Sequence, residues 1–223
     1  DAEASNIRIG CRFCKRIEFG GMRMMNDEIL RINGFEIVED GFDQDKNKYY
    51  EGIFTQGNGY FHVRGSFEEG LADAPQNEVY TRTMKSVTTE QQRHPLSKQG
   101  TFLPLMMGKH PFLEEVIINL PYFMRIEIAA GNEKLDMIRD YRRVLNMKTG
   151  ELTRSFTWIT ASGEEIDVKF SRFASLDEKR LFVQQADLKP RKGTPYITVK
   201  SGIDAGVTTN GYCHFTESSL FEK

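Results

Sequence analysis

In Lys148-Thr149-Gly150-Glu151-Leu152-Thr153-Arg154-Ser155-Phe156-Thr157-Trp158, the apolar side chains Leu152, Phe156 and Trp158 alternate with Thr153, Ser155 and Thr157. A period of two marks a half-buried strand, because successive side chains leave opposite faces of the sheet. Lys148-Thr149-Gly150 ahead of it has the composition of a hairpin turn. The pattern repeats downstream. Ser162-Gly163 leads into Ile166, Val168 and Phe170, Asp177-Glu178 into Leu181 and Val183, and Lys192-Gly193 into Tyr196-Ile197-Thr198-Val199. Turn-and-strand units at this spacing predict an antiparallel meander within an all-β sandwich.

Upstream, Leu135, Ile138, Tyr141 and Leu145 fall at helical spacing, so local periodicity alone allows an amphipathic helix. The turn at 148–150 and the alternation beyond it favour a strand after Asp140. Met124, Ile126 and Ile128 alternate with Arg125 and Glu127 and end at Gly131-Asn132, which predicts another half-buried strand. Around Asn33-Gly34 two short strands are expected, joined by a type I′ hairpin in which both residues take positive φ. Glu51 to Glu69 carries Gly52, Gly57, Gly59 and Gly65 among Phe54, Tyr60, Phe61, Val63 and Phe67. So many glycines imply bulges or backbone pressed close, and the most constrained geometry of the chain is expected there. Leu71 to Gly100, polar and containing Pro75 and Pro95, reads as a long loop or arm.

The composition sets outer bounds. The 223 residues suit one domain, 1–223, with a full β core. A formal net charge of -2 offers no global attraction to nucleic acid or anionic lipid, and no apolar run has the length of a membrane span. Cys11, Cys14 and Cys213 are an odd set that does not read as a disulfide framework. A zinc site drawn from Cys11-x-x-Cys14 with Cys213 and His214 is disfavoured, since adjacent strand residues point to opposite faces. The chain opens on Asp1 with no secretory apolar stretch before it, which points to the cytoplasm.

Two blocks carry a family likeness. Phe54-Thr55-Gln56-Gly57-Asn58-Gly59-Tyr60, continued by Val63-Arg64-Gly65-Ser66-Phe67-Glu68-Glu69, resembles the signature near the start of glycoside hydrolase family 65. About eighty residues on, Asp140-Tyr141-Arg142-Arg143-Val144-Leu145-Asn146-Met147-Lys148-Thr149-Gly150-Glu151-Leu152-Thr153-Arg154 is similar to that family's D-Y-x-R-x-L-D-x-x-x-G-x-L-x-R pattern. Ser171-Arg172-Phe173-Ala174-Ser175-Leu176 and Ser201-Gly202-Ile203-Asp204 fall where the family has R-F-x-S and S-G-I-D. His62 stands where the family usually has Gly, Asn146 replaces its Asp, and 82–112 is longer and more polar than the family segment.

The resemblance implies an antiparallel supersandwich related to galactose mutarotase. It would be the N-terminal domain of an enzyme that cleaves α-glucosidic disaccharides in a separate (α/α)6 barrel. Inverting cleavage needs a protonated carboxyl for the leaving oxygen, with a second carboxylate activating water in a hydrolase or phosphate attacking in a phosphorylase. The family's general acid and phosphate-binding residues lie in the barrel. The resemblance therefore implies no catalytic residue, no metal and no cofactor here, with inorganic phosphate a co-substrate of the parent enzyme if that is a phosphorylase. Glu68-Glu69 is a tempting pair, but adjacent strand residues face opposite ways and cannot flank one bond.

Asn58, Tyr60 and Arg64 are the candidate substrate-binding residues, on a glycine-bordered loop that would lean toward the barrel and help wall the sugar pocket. The structural alternative has Asn58 in a left-handed turn, Tyr60 packed, and Arg64 paired with an internal acid. Trp158 sits at core spacing, and Arg143 and Arg154 flank a hairpin where they could pair across strands. The expected partners are a carbohydrate substrate, reached through the barrel, and a possible homodimer. Two other readings stand beside this one. The fold could act alone as an aldose epimerase with His62 or His214 in proton transfer, or serve purely as a carbohydrate-binding or dimerisation module.

Overall fold

The structure is a computed structural model that describes residues 29–42, 46–69, 100–135, 137–207, 209 and 212–215. The C-x-x-C cysteines and the 71–99 part of the expected arm lie outside the described residues. Strands β1 (Leu30–Asn33) and β2 (Glu36–Asp40) form the first hairpin. Their register pairs Asn33 with Glu36, so the two loop residues are Gly34-Phe35, one place later than Asn33-Gly34. Of these only Gly34 has positive φ, 61°, which is the pattern of a type II′ turn and not of the expected I′.

The short helix α1 (Asn47–Ile53) was not anticipated. It has no side-chain N-cap and contains Gly52, so its stability comes from packing: Tyr50 and Phe54 are buried against Leu145 and Leu152. After it come β3 (Gln56–Gly57), β4 (His62–Val63) and β5 (Thr101–Phe102), which make a small sheet in that order. Then β6 (Met107–His110) and β7 (Glu114–Ile117) form a hairpin of their own.

The remaining strands are long: β8 (Tyr122–Ala130), the short β9 (Glu133–Lys134), β10 (Met137–Asn146), β11 (Glu151–Ile159), β12 (Glu165–Ala174), β13 (Phe182–Lys192) and β14 (Ile197–Asp204). The six-stranded main sheet runs β1-β2-β10-β11-β12-β13, and every pairing in it is antiparallel. The meander read from Lys148 onward is therefore present. Its last unit departs from expectation: β14 crosses over and pairs with β8 in a second sheet ordered β14-β8-β9.

Ile126 and Ile128 of β8 pack on Tyr141, Phe156, Trp158, Ile166, Val168 and Phe170 of the main sheet, with Phe67 among them. Sheet lies against sheet, and Trp158 is core. Strand β10 begins at Met137, before the predicted Asp140, and its register shifts between Arg139 and Arg142 around Asp140, whose φ is 55°. The bulge moves the inward side chains from Ile138 to Tyr141, then to Arg143 and Leu145. A spacing of three across the bulge and four beyond it imitates a helix, which explains the ambiguous periodicity.

Candidate functional site

The 56–69 segment crosses the inner side of the main sheet, and side chains hold much of its backbone. Four consecutive carbonyls accept from them. Arg172 Nη2 donates to Arg64 O at 3.2 Å, Arg143 Nη1 to Gly65 O at 2.8 Å, and Arg172 Nη1 to Ser66 O at 2.8 Å. The Tyr122 hydroxyl donates to Phe67 O. Gly65 N donates to Glu51 O at 2.8 Å, and a Cβ at Gly65 would sit 2.5 Å from Phe54 Cβ. Buried backbone polar groups need partners, and here guanidinium groups supply what a neighbouring strand normally would.

The arginines follow from strand parity. Arg143 shares a face with Tyr141 and Leu145, Arg154 with Leu152 and Phe156, and Arg172 with Ile166, Val168 and Phe170. Each is a charge at a core position, and none is more than 3% exposed. Arg143 and Arg154 are direct register partners, a repulsive arrangement unless anions intervene. Three glutamates do so. Glu39 Oε2 lies 2.7 Å from Arg143 Nε, Glu68 lies 2.9 Å from Arg172 and 2.8 Å from Arg154, and Glu69 lies 2.5 Å from Arg154. The Arg154 guanidinium also stacks on Phe67, Phe170 and Phe156, with its carbon 4.3, 4.9 and 5.1 Å from the ring centres.

Burial pushes the Glu68 carboxyl up, but Arg154 and Arg172 outweigh it and leave the carboxyl below the ordinary carboxylate range. Burial raises Glu69, and the neighbouring Glu68 charge adds to it, so its carboxyl stays above that range despite Arg154. Burial also raises Glu39, against the pull of Arg143. Desolvation holds the Tyr122 and Tyr141 phenols far above their usual values.

The expectation that Glu68 and Glu69 point apart is corrected. The two residues form a turn, not a strand, and both carboxylates converge on Arg154. That geometry neutralises a buried cation.

The structure places each candidate binding residue. Asn58 is buried; its Nδ2 donates to Ser175 O at 2.7 Å and to Lys179 O at 2.9 Å. Its Oδ1 accepts from the backbone N–H groups of Tyr60 and Phe61. Both ends of the amide are thus used to close the 57–61 turn and tie it to the 175–179 loop. Tyr60 sits at the turn, 42% exposed, its ring edge-on to Phe61. Arg64 is part-buried, with Nε 3.9 Å from Glu51 Oε2. His62 is the register partner of Gly57, and a Cβ on Gly57 would fall 2.4 Å from its ring, so this pair makes a second close approach in the segment beside that of Gly65 with Phe54. His214 lies elsewhere, edge-on to Tyr212 and against Gly108. Cys213 is exposed, and its Sγ is 3.0 Å from Phe215 O. No group of three or more His, Cys, Asp or Glu among the described residues could hold a metal, and no described helix is long and apolar enough to cross a membrane.

Residues 37–222 match the family described as glycosyl hydrolase family 65, N-terminal domain. The chain is 27% identical over 185 residues to kojibiose phosphorylase of Escherichia coli, covering 82% of this chain and 22% of that protein. It is 28% identical to α,α-trehalose phosphorylase of Thermoanaerobacter brockii, covering 81% and 23%. It is 29% identical to 3-O-α-D-glucosyl-L-rhamnose phosphorylase of Lachnoclostridium phytofermentans, covering 78% and 24%. The chain thus spans less than a quarter of the length of these relatives. A solved structure from the human microbiome, provisionally named a kojibiose phosphorylase, superposes with a TM-score of 0.67 at 21% identity, over 87% of this chain and 25% of that one. The matched span includes Glu39, Arg143, Arg154, Arg172 and the 56–69 segment, and the chain belongs to glycosyl hydrolase family 65 as its N-terminal domain.

Proposed function

We propose that this β domain is the non-catalytic N-terminal part of a family 65 phosphorylase that cleaves α-glucosidic disaccharides with inorganic phosphate. In that reading 1–223 is one domain, and the catalytic groups belong to a barrel elsewhere in the parent protein. The domain shapes the barrel's substrate entrance and stabilises it. The observation that carries the reading is the 56–69 segment: four of its carbonyls are fixed by buried side chains while its turn presents Tyr60 outward. A loop held so firmly can position a side chain against a neighbouring domain, which loops on rigid scaffolds commonly do. Asn58 serves by setting the turn. Tyr60 and the part-exposed Arg64 are the groups offered toward sugar or barrel. The mutarotase-like ancestry and a cytoplasmic setting belong to the same reading.

The test joins this domain to the catalytic portion of a family 65 phosphorylase and follows phosphorolysis of kojibiose, trehalose and maltose. Tyr60→Ala should raise KM several-fold while the fold, followed by far-ultraviolet circular dichroism, is unchanged. Unaltered kinetics for Tyr60→Ala and Arg64→Ala together would defeat the substrate-entrance role. Glucose 1-phosphate formed by the 223-residue chain alone would defeat the non-catalytic assignment.

A further inference from the structure

Two β-bulges border one face of the main sheet. On the side away from the core, Ser155 of β11, Lys169 of β12 and Asp187 of β13 form one row, and Thr157, Asp167 and Lys189 form the next. These rows line a groove of about 300 Å³, floored by the strands that carry Phe156 and Val168, whose side chains belong to the core. Asp140 is the extra residue where β10 shifts register between Arg139 and Arg142, and with φ at 55° its exposed carboxyl stands at the groove's β10 border. Arg191 is the extra residue where β13 shifts register, since Ile166 pairs with Pro190 and Glu165 with Lys192, and it stands at the β13 border. A bulge re-aims the side chain it adds and interrupts the ladder, so two bulges that bring opposite charges to one groove point to a ligand there.

The groove's own groups select the ligand. Asp140, Asp167 and Asp187 stand against Lys169, Lys189 and Arg191, three of each sign, so neither an anion nor a cation is favoured as a whole. Asp167 is held in place, accepting from Thr157 Oγ1 at 3.0 Å and from Arg191 Nε at 3.2 Å, and Asp187 accepts from Gln185 Nε2 at 2.7 Å. The side chains of Lys169, Lys189 and Ser155 have no hydrogen bond or ion pair among the described residues. Fixed acceptors beside free donors, on strands about 4.8 Å apart, match a neutral molecule that gives and takes hydrogen bonds at neighbouring positions, which is the chemistry of a sugar's vicinal hydroxyls. The groove has room for about two pyranose rings. We propose that the outer face of β10–β13 binds a short neutral oligosaccharide. Its one aromatic neighbour, Phe156, faces the core and cannot stack on a ring, so polar contacts carry the affinity and a millimolar dissociation constant is expected. The groove lies across the main sheet from the 56–69 segment, so this sugar contact is additional to the one proposed at Tyr60 and Arg64.

Proton–nitrogen correlation NMR of the 223-residue chain, titrated with maltotriose to about 20 mM, tests it. The amide signals of Ser155, Thr157, Lys169, Asp187 and Lys189 should shift together and saturate with a dissociation constant of about 1–10 mM. Lys189→Ala and Asp187→Ala, both at exposed positions, should each weaken binding about threefold or more while the remaining signals stay in place. Tyr60→Ala should leave the titration unchanged. Trigalacturonate, an acidic chain of the same length, should bind no more tightly than maltotriose, as the balanced charges require. An absence of saturable shifts, shifts centred on Tyr60 and Arg64 instead, tighter binding of trigalacturonate, or indifference to both groove substitutions would overturn the proposal. Since the role of Tyr60 is judged by phosphorolysis kinetics, failure here leaves that reading standing.

Discussion

Replacing Arg154 by Met keeps the length and apolar stem of the side chain and removes its charge. Glu68 would retain Arg172 at 2.9 Å, but Glu69 would lose the cation 2.5 Å away and stay in its buried turn. Breaking a buried ion pair on one side costs about 3–5 kcal/mol, because a charge is left without water or partner. Stacking on Phe67, Phe156 and Phe170 is lost in the same step and is not added separately, since contacts within one network do not sum. A domain stability of about 5–15 kcal/mol would fall by about a fifth or more. With a urea slope of roughly 3 kcal/mol per molar for a chain of this size, the unfolding midpoint should drop by roughly 1–1.7 M. Trp158 fluorescence reports the transition, with far-ultraviolet circular dichroism as a second probe. The double variant Arg154→Met/Glu69→Gln carries the sharper test. If the loss comes from an unpaired anion, neutralising Glu69 recovers a substantial part of it. A midpoint shift below roughly 0.3 M for the single variant, or a double variant whose losses simply add, would refute the electrostatic reasoning.

The two adjacent carboxylates should show opposite pH linkage. Glu68, whose folded pKa is lowered, contributes stability that is present above its unfolded pKa and lost as pH falls through the folded value; Glu68→Gln should remove that acid-side loss from urea midpoints measured between pH 3 and 8. Glu69, whose folded pKa is raised, leaves the native state holding more protons than the unfolded chain just above the ordinary carboxylate range. Stability therefore falls as pH rises through that window, and Glu69→Gln should flatten the fall. Gly65→Ala forces a Cβ to 2.5 Å from Phe54 Cβ and 3.2 Å from Glu51 O, so it should cost about 2–3 kcal/mol in the same titration. Asn58→Ala removes the amide that joins the 57–61 turn to Ser175 and Lys179, and should cost about 1–3 kcal/mol while speeding tryptic cleavage at Lys179 and Arg180.

Much of the fold was legible because period-two alternation is a direct consequence of strand geometry, and β8 and β12 show it, as does β11 apart from the buried Thr157. What the alternation could not convey is which sheet a strand joins: Tyr196 to Val199 alternates no differently for having left the meander to pair with β8. Helix α1 escaped notice because seven residues with a glycine and no cap carry little local signal, and burial of Tyr50 and Phe54 decides it. The site was half legible. The glycines marked the constrained segment correctly, with the closest approaches at Gly57 and Gly65. The ion network was missed although its signal was present, since Arg143, Arg154 and Arg172 each occupy a core-parity position that an apolar residue would normally fill. Reading parity for charges as well as for apolar residues would have found all three.

That parity also explains why charges sit there at all. A glycine-rich segment has few side chains with which to specify its place on a sheet, and apolar contact, being non-directional, would let it slide. The carbonyls of Arg64, Gly65 and Ser66 meet guanidinium donors in a fixed order, Arg172, Arg143 and Arg172 again, and the carboxylates of Glu68 and Glu69 meet Arg154. A one-residue slip would misplace every one of these bonds and would also lift Val63 and Phe67 from their buried places. The arginines, for their part, cannot be buried on the meander until Glu39, Glu68 and Glu69 arrive to neutralise them. The main sheet and the docked 56–69 segment therefore stabilise each other through these charges, while Asn58, bonded to Ser175 O and Lys179 O, fixes the turn that carries Tyr60.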